Sequence, residues 1–487
     1  MGGVFMIEFS ILSRDEVYKV HMASLHILEK IGLKINSRKA LEILAEAGAY
    51  VDFNDKRVRM PQSLVEEAIR KAPATIKLCG LNPKLDILLE GGRVHYGTGG
   101  TATYVLDLEG NRRDATLQDL RDIALLTNEL DNVDFFHIPV HPRDVPREVA
   151  GLYEFHESLK YCMKPVEGEI CSKKEAEGIA EMLKVLSGGK KGLMKRPLGA
   201  VVCCSTTPLL WGRTGAEILI KMAEEGIPTI VGSEPQAGAT SPATLAGTLS
   251  LQNAETLGGI VLTQLVNPGT PAIYGTVAAI MDPRLGTYCC GAIEVALLSV
   301  AATQMAHFYR LPVYATGGMT DSKIPDVQAS YEKAMISLLV GLSGADLIHD
   351  AVGFIESALT YSLEQMVIDD EILGMCKRVF RGIEVNDETL GLDVIEEVGP
   401  AGQYLTQKHT VRHIKTEFYL PKLSDRKLRE EWEREGAKDA RIRAREMAHK
   451  LLEEAKRKPL GGEIDEDLLK EFDRVFEREV KKVLKGR

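Results

Sequence analysis

Residues 311–354 read LPVYATGGMTDSKIPDVQASYEKAMISLLVGLSGADLIHDAVGF, and this stretch decides the fold. Two short apolar runs, at 313–316 and 346–349, enclose a longer segment with a helix-like pattern. A polar turn that contains glycine follows each run. Strands that alternate with helical segments are typical of βαβ units, which form parallel sheets. The stretch therefore predicts one strand–helix–strand unit of an α/β protein.

The same alternation begins near residue 93 and repeats along the chain. Eight apolar runs rich in valine, isoleucine and tyrosine are separated by longer segments with a helical pattern. The runs lie at 94–96, 133–140, 166–171, 198–204, 228–232, 272–276, 313–316 and 346–349. Eight such units in succession predict an α/β fold of the (β/α)8 TIM-barrel type.

The flanking segments differ from this pattern. Residues 1–92 show mainly helical spacing and predict an N-terminal helical segment. Residues 93–423 are assigned to the barrel, which would be the catalytic domain. More than half of the residues in 424–487 are charged, so we predict a helical C-terminal extension that packs on the barrel or at a subunit interface.

Composition restricts the class of protein. The 487 residues are 45% hydrophobic and carry a net charge of −10, which is ordinary for a globular protein and disfavours nucleic-acid binding. The start of the chain does not resemble a signal peptide, and the most apolar stretch, 257–280, is interrupted by prolines and a glycine. We therefore expect a cytoplasmic protein without a membrane span, whose eight cysteines stay reduced.

The segments that follow the runs are rich in glycine, serine, threonine and acids. They include GTGGTA (97–102), CCSTTP (203–208), GSEPQAGATSP (232–242), GTVAAIMDPR (275–284), GGMTDSK (317–323) and HDAVGF (349–354). In a TIM barrel these segments form the carboxyl-terminal face, where active sites lie. The architecture thus predicts the position of the site before any motif is considered.

Acidic and aromatic side chains dominate this predicted site. Together they suit a cation, because carboxylates neutralise the charge and aromatic faces attract quaternary ammonium groups. The tyrosines could instead be core residues, the aspartates helix caps, and His349 a buried structural histidine. No pair shows a standard metal-ligand spacing, so no metal site is predicted. The candidates are Glu234, Tyr274, Asp282, Arg284, Tyr288, Tyr314, Asp321, Lys323, Asp326, His349, Asp350 and Phe354.

Several longer motifs resemble the trimethylamine methyltransferase superfamily. They are PVYATGGMTDSKIPDVQASYEKA (312–334), AGATSPATLAGTLSLQNAETLGGIVLTQL (237–265), PGTPAIYGT (268–276), SLEQMVIDDEILGM (362–375), EEVGPAGQYLTQKHT (396–410) and WEREGAKDARIRA (432–444). The resemblance implies a (β/α)8 barrel that demethylates a methylated amine. The methyl acceptor would be Co(I) of a corrinoid carried by a separate small protein, with no cofactor bound by this chain itself.

The best-known archaeal members of this family carry pyrrolysine in the barrel, and this sequence shows no such residue. Relatives without it resemble glycine betaine:corrinoid methyltransferases. A quaternary ammonium already carries positive charge and leaves as a neutral amine, so it needs only positioning, desolvation and a clear path for attack. We therefore expect a quaternary-amine:corrinoid methyltransferase that acts on a small methylated amine and is a homo-oligomer.

On this interpretation the aromatic candidates contact the ammonium methyl groups, and Asp321 or Glu234 balances the charge. A betaine-type carboxylate would be held by His349, Lys323 or Arg284. We assign the catalytic role to His349 and Asp321. Substrate binding is assigned to Glu234, Tyr274, Tyr314, Lys323, Asp350 and Phe354. Two alternatives stay open: a trimethylamine methyltransferase whose gene has an in-frame amber codon near 312–330, and a non-catalytic amine-binding barrel.

Overall fold

The computed structural model describes residues 9–458 and 465–485. Its centre is an eight-stranded parallel sheet in which each strand pairs with the next one along the chain. The last strand pairs with the first, and a bridge between Gly97 and Phe135 closes the ring. The strands are β1 (His95–Thr98), β2 (Phe136–His137), β3 (Val166–Glu169), β4 (Gly199–Cys204), β5 (Thr229–Gly232), β6 (Ala272–Thr276), β7 (Val313–Thr316) and β8 (Leu347–Val352).

Each of the eight predicted runs coincides with or overlaps one barrel strand, so the predicted (β/α)8 barrel is confirmed. The helices that follow the strands form the outer layer. They are α1 (Leu117–Glu129), α2 (Ala150–Tyr161), α3 (Lys173–Leu186), α4 (Arg213–Glu225), α5 (Leu245–Val266), α6 (Ile293–Tyr309), α7 (Val327–Leu342) and α8 (Leu363–Phe380).

Local capping explains where some of these helices begin. Thr116 caps α1 and forms a reciprocal capping box with Asp119. Asp326 caps α7 by accepting a hydrogen bond from the backbone N–H of Ala329. The helix-cap interpretation of Asp326 therefore holds.

The interior of the barrel is a small apolar core separate from the layer between strands and helices. It includes Val202, Ile230, Ile273, Tyr314 and Leu347. A hairpin of strands Ile76–Leu78 and Ile87–Leu89 packs into the same core. The hairpin is tied to the residues before β4, since Cys79 donates its N–H to Pro197 O. It therefore covers the amino-terminal end of the barrel and leaves the carboxyl-terminal end as the opening.

The remaining N-terminal elements lie on the outside of the barrel. Three helices, Arg14–His26, Arg38–Glu46 and Gln62–Lys71, contact α5. The first is extended by a π-helical turn, Ile27–Ile31. A small sheet combines strands Leu33–Ile35, Tyr50–Asp52, Arg57–Arg59 and Leu210–Trp211. Shorter helical segments lie at Pro83–Leu85, Arg147–Val149 and Lys190–Lys195.

Two small sheets lie over the carboxyl-terminal end of the barrel. One combines Gln236–Ala237, Ala279–Met281 and Tyr288–Cys289, from the segments after β5 and β6. The other combines Tyr104–Leu106, Arg112–Asp114, Phe354–Ile355 and Thr360–Ser362, from the segments after β1 and β8. Their strands are short because they are built from loops, and they shape the rim of the opening.

The chain after α8 has two parts. An extended arm contains helices Asp387–Leu390, Leu392–Val398, Lys408–Glu417 and Arg429–Arg434, and none of the four has a buried residue. The helix Ala440–Arg457 packs on α1 and α8, and the helix Glu466–Lys485 packs on α2 and α3. The predicted division at residues 92 and 423 stays a prediction; the last barrel helix ends at Phe380.

No helix within the described ranges has the length and apolar character needed to cross a lipid bilayer.

Candidate functional site

Several polar side chains lie inside the barrel, between its apolar core and its open end. His137 on β2 and Glu167 on β3 are paired residues of neighbouring strands, and His137 Nδ1 lies 3.1 Å from Glu167 Oε1. The same nitrogen lies 2.9 Å from the Tyr314 hydroxyl oxygen on β7. All three residues are buried. Burial is the largest single effect and disfavours the charged imidazole. The hydrogen bond to Glu167 and the nearby negative charges, including Asp350, together outweigh it and raise the pKa of His137.

His349 lies beside this group at the end of the barrel. Its ring stacks on Tyr314, with ring centroids 3.8 Å apart and planes within 4° of each other. Its Nδ1 lies 2.9 Å from Asp350 Oδ2, and its Nε2 lies 3.0 Å from Thr316 Oγ1. Both ring nitrogens are thus engaged, so His349 holds the orientation of Asp350.

Asp350 has two unusual features. Its backbone φ is +60°, a conformation that costs energy for a residue with a side chain. Its Oδ1 is buried and has no hydrogen-bond partner among the described residues. A strained backbone that presents an unpaired carboxylate oxygen at the barrel end is a feature expected of a ligand site.

The glycines after β1 allow this close packing. A Cβ on Gly99 would collide with Asp350 Oδ1 and with the ring of Phe354. A Cβ on Gly100 would collide with the imidazole of His137. Gly99 and Gly100 therefore pass against the site with no room for side chains.

Two further carboxylates lie at the opening. Burial, together with the charges of Glu154 and Asp350, raises the pKa of Glu169 against the opposing effect of the two histidines. Glu234 is exposed to the open mouth, yet the surrounding walls displace enough water to raise its pKa to about 7, with help from the charges of Glu169 and Asp350. Like-charged groups held this close favour a bound cation, because a cation relieves their mutual repulsion.

Sulfur and aromatic groups complete the rim. The Cys204 thiol hydrogen-bonds to Glu234, and burial raises the pKa of the thiol, so it stays protonated. Tyr288 on the loop sheet is 37% exposed. Although part of the side chain is exposed, the surrounding protein keeps water from much of it and so raises its pKa, and nearby charges, among them Glu234 and Asp350, add to the rise. The mouth thus places an aromatic ring near its carboxylates.

The structure brings together only some of the predicted site residues. Glu234, Tyr314, His349 and Asp350 meet at the mouth, and Phe354 lies behind Gly99 with its ring against Tyr361.

Tyr274 lies outside the barrel interior. Its hydroxyl donates to Asn253 Oδ1 on α5, and its ring lies 6.4 Å from that of Tyr309 on α6. It therefore faces the helix layer, and no contact in the structure supports its predicted role in binding.

Asp321 is half-buried and connects two loops. It accepts hydrogen bonds from the Cys289 thiol, from the backbone N–H groups of Cys290 and Gly291, and from the Ser357 hydroxyl. Burial acts against the charged form, but these bonds prevail and lower the pKa of Asp321. Its catalytic role stays a prediction.

The predicted cationic residues lie away from the mouth. Lys323 is exposed and donates to the backbone oxygen of Asp321. Arg284 pairs with Asp282 in an exposed turn, where Asp282 accepts the backbone N–H groups of Arg284 and Leu285. The next helix begins only at Ile293, so Asp282 caps a turn and is not the helix cap that was the alternative interpretation. Neither Lys323 nor Arg284 contacts the carboxylates of the mouth in the hydrogen bonds and ion pairs of the described residues.

Three residues of the site were not predicted from the sequence: His137, Glu167 and Glu169. The sequence did contain an indication of their role, because each is a titratable residue inside a run predicted to be a buried strand. Such residues are rarely buried without a partner or a role.

The family model described as trimethylamine methyltransferase (MTTB) matches residues 5–479. The chain belongs to the trimethylamine methyltransferase family. This membership confirms the resemblance predicted from the motifs and confirms the prediction that the protein is an enzyme, a methyltransferase.

Individual relatives cover nearly the whole chain. A trimethylamine methyltransferase MttB of Desulfitobacterium hafniense (strain DSM 10664 / DCB-2) is 40% identical over 457 residues, covering 93% of this chain and 91% of its own. A glycine betaine methyltransferase of Desulfitobacterium hafniense (strain Y51) is 36% identical, covering 92% of each. Trimethylamine methyltransferase MttB of Methanosarcina barkeri (strain Fusaro / DSM 804) is 34% identical, covering 97% and 95%.

Solved structures show the same fold. The Methanosarcina barkeri monomethylamine methyltransferase MtmB has a TM-score of 0.51 and 12% sequence identity, covering 92% of this chain and 95% of that one. At this identity the likeness shows the architecture alone.

Proposed function

We propose that this protein moves a methyl group from a quaternary amine of the glycine betaine type to Co(I) of a corrinoid carried by a separate protein. The observation that carries the proposal is the acidic mouth formed by Glu169, Glu234 and Asp350 at the single open end of the barrel. Burial and neighbouring negative charges raise the pKa of Glu169 and of Glu234, so a bound cation would balance the charge of this site.

The residues of the mouth would bind and orient the amine. The unpaired Asp350 Oδ1 and the Glu234 carboxylate would lie against the ammonium group, and Tyr288 would offer an aromatic face. His349 and Tyr314 would keep Asp350 in place. Because the hairpin closes the other end of the barrel, one methyl group of a bound amine would point outward.

The chemistry then needs little from the protein itself. The Co(I) centre supplies the electron pair that forms the new cobalt–carbon bond, while the carbon–nitrogen pair stays on nitrogen and the amine leaves neutral. This chain would position the methyl group and exclude water. The partner would dock over the mouth.

A betaine-type substrate also carries a carboxylate, which needs a hydrogen-bond donor. Glu234, with a pKa of about 7, is about half protonated at neutral pH, and its protonated form can donate. His349, Lys323 and Arg284 were the predicted donors. Glu234 would be a further donor, and its carboxyl group lies at the mouth.

Trimethylamine is the second candidate substrate, and the 40% identity with a trimethylamine methyltransferase favours it. At neutral pH trimethylamine is itself a cation, so the acidic mouth would also accept it. The gene sequence separates the two cases: an in-frame amber codon near 312–330 would support trimethylamine, whereas ordinary sense codons support the quaternary amine.

The deciding experiment is an anaerobic absorbance assay. Purified protein is mixed with its corrinoid protein, or with Co(I) cobalamin, and with glycine betaine, carnitine, choline or trimethylamine in turn. We expect the Co(I) band to disappear with one quaternary amine and to persist with trimethylamine. Loss of the band with trimethylamine would overturn the choice of substrate class.

Two variants test whether methyl transfer depends on the acidic mouth. Glu234→Gln should lower turnover, whereas Glu42→Gln, an exposed glutamate on the helix Arg38–Glu46, should not. Folded protein and active cobalt with no loss of the band for any amine would favour the non-catalytic alternative.

A homo-oligomer is a further part of the proposal. The arm after α8 exposes many large apolar side chains, among them Ile383, Leu392, Leu405 and Val411. The outer face of α7 exposes Val327, Tyr331 and Met335 at helical spacing. Exposed apolar surface of this kind is typical of subunit interfaces. Light scattering after size-exclusion chromatography tests it, and a mass equal to one chain would refute it.

A further inference from the structure

The arm after α8 contains a cluster of two histidines and one glutamate, separate from the residues of the mouth. His409 and His413 lie one helical turn apart on the helix Lys408–Glu417, and Glu388 lies on the helix Asp387–Leu390. One ring nitrogen of each histidine and one carboxylate oxygen lie within 4.8 Å of one another. The structure contains no other such group of three among residues 9–458 and 465–485.

We propose that Glu388, His409 and His413 form a binding site for a divalent transition-metal ion, with Zn²⁺ as the best fit. Two imidazoles and one carboxylate are the ligand types that zinc takes in proteins, and a water molecule would complete the tetrahedron. Ligand atoms of a tetrahedral zinc site are roughly 3.4 Å apart, so small side-chain rotations would close the present arrangement.

The three residues are already joined by direct contacts. His413 Nε2 lies 3.2 Å from Glu388 Oε1, and His409 Nε2 lies 3.0 Å from the backbone oxygen of Glu388. The two imidazole rings have centroids 4.4 Å apart. Both histidines are half-buried, which limits the number of rotamers that they lose when a metal binds.

Arg412 competes with a metal for the carboxylate. Its guanidinium lies 2.5 Å from Glu388 Oε1 and is exposed, so it can turn out into water at little cost. It therefore holds Glu388 in place without a metal and would be displaced when one binds. Removal of this side chain should strengthen metal binding.

The arm has a structural need that such a site would meet. Its helices between 387 and 434 contain no buried residue, and several of its large apolar side chains are exposed. Segments that lack a core commonly depend on a metal or another cross-link for stability. Here the ion would tie the helix Asp387–Leu390 to the helix Lys408–Glu417 across the intervening loop.

The test measures Zn²⁺ binding to the full chain, purified without a polyhistidine tag and stripped with a chelator. Isothermal titration should show one site per chain. The double variant His409→Ala/His413→Ala should weaken the affinity by about 10-fold or more, and Arg412→Ala should strengthen it. The exposed histidines at 26 and 449 provide the control, because His26→Ala/His449→Ala should leave the affinity unchanged.

A second measurement covers the structural role. Limited proteolysis should cut the arm of the metal-free protein faster than that of the zinc-bound protein, and the double variant should show no such protection. If wild type and the double variant bind zinc equally, or if wild type binds none, the proposal is wrong. Both readouts are independent of methyl transfer, so they stand whether or not the proposed function is correct.

Discussion

The imidazole of His349 lies face to face with the phenol ring of Tyr314, their centroids 3.8 Å apart, while its Nδ1 bonds to Asp350. One side chain thus links the packed interior of the barrel to the carboxylate at its mouth. We infer that His349 works through Asp350 and does not itself take part in the chemistry.

Replacement of His349 tests this arrangement. His349→Ala should lower methyl transfer by about 100-fold, since Asp350 would lose the partner that orients it and a misplaced binding group costs roughly that factor. The barrel should stay folded, as judged by circular dichroism, because the loss is confined to its open end. The exposed substitution His449→Ala is the matched control. Unchanged turnover in His349→Ala would remove this residue from the site.

The pKa of Glu234 predicts a pH dependence for binding. Glu234 titrates near pH 7 in the free protein, and a bound cation favours the ionised form. The affinity for tetramethylammonium, a cation without a carboxylate, should therefore rise by about 5-fold between pH 6 and pH 8 and then level off. Titration calorimetry at a series of pH values measures it.

Two comparisons give this experiment its controls. The Glu234→Gln variant has no ionisable group at this position, so its affinity for tetramethylammonium should change less between pH 6 and pH 8. Glycine betaine should behave in the opposite way if the protonated Glu234 donates to its carboxylate, with weaker binding as the pH rises. An equal rise for tetramethylammonium in wild type and variant would assign the titration to another group.

The raised pKa of Glu234 also predicts that the free energy of unfolding depends on pH. Glu234 has a pKa of about 7 in the folded protein against a usual value of 4.5, so the folded state binds more protons between these values. Stability should therefore fall as the pH rises from about 4.5 through 7. Glu234→Gln removes this ionisation, so its melting temperature relative to wild type should be higher at pH 8 than at pH 5. A constant difference across this range would contradict the raised pKa.

The barrel could be predicted from sequence because its strands are buried on both faces. Parallel strands of this kind appear as continuous apolar runs, and all eight were recognised. Continuous runs do not reveal which face of the sheet a given side chain occupies, and this is why Tyr274 and Tyr314 were treated alike. In the structure Tyr274 pairs with Val313, and Tyr314 pairs with Gly275. The two tyrosines are one residue out of phase, so they point to opposite sides of the barrel wall.

The mouth itself could be predicted only in part. Glu234 comes shortly after the run 228–232, and His349 and Asp350 lie at the end of the run 346–349, so their position at the carboxyl-terminal face was clear from topology. In the structure β8 continues to Val352 and includes both His349 and Asp350. His137 and Glu167 lie within strands, and only the register between β2 and β3 shows that they meet. Tyr288 was a candidate because it follows β6, but the sheet of two loops that brings it to the mouth is not indicated by any local pattern in the sequence.

The glycine at position 100 gives a steric prediction. Gly100→Ala would place a methyl group about 2 Å from the imidazole of His137 and 2.9 Å from the backbone oxygen of Ile138, so the ring would have to move. We expect turnover to fall strongly while the protein stays folded. Gly212→Ala is the control, because its backbone φ is −58° and a new Cβ would find only Thr206 Oγ1, at 4.0 Å. Equal activity of both variants would show that the loop after β1 can move away.

A buried ion pair supports the loops behind the mouth. Lys333 on α7 lies 3.3 Å from Asp369 on α8, and both are 1% exposed. The ammonium group also donates to the backbone oxygens of Gly318 and Phe354, which lie in the segments after β7 and β8. Lys333 thus ties two loops of the open end to the helix layer.

Removal of one partner should therefore cost more than removal of both. Lys333→Met leaves Asp369 buried without its cation and should lower the free energy of unfolding by about 3–5 kcal/mol. The double variant Lys333→Met/Asp369→Leu should recover part of that loss, because it leaves no unpaired charge. Urea unfolding of the three variants, with Asp369→Leu alone as the third, completes the cycle. If the losses from the two single substitutions simply add in the double variant, the two side chains do not act as a pair.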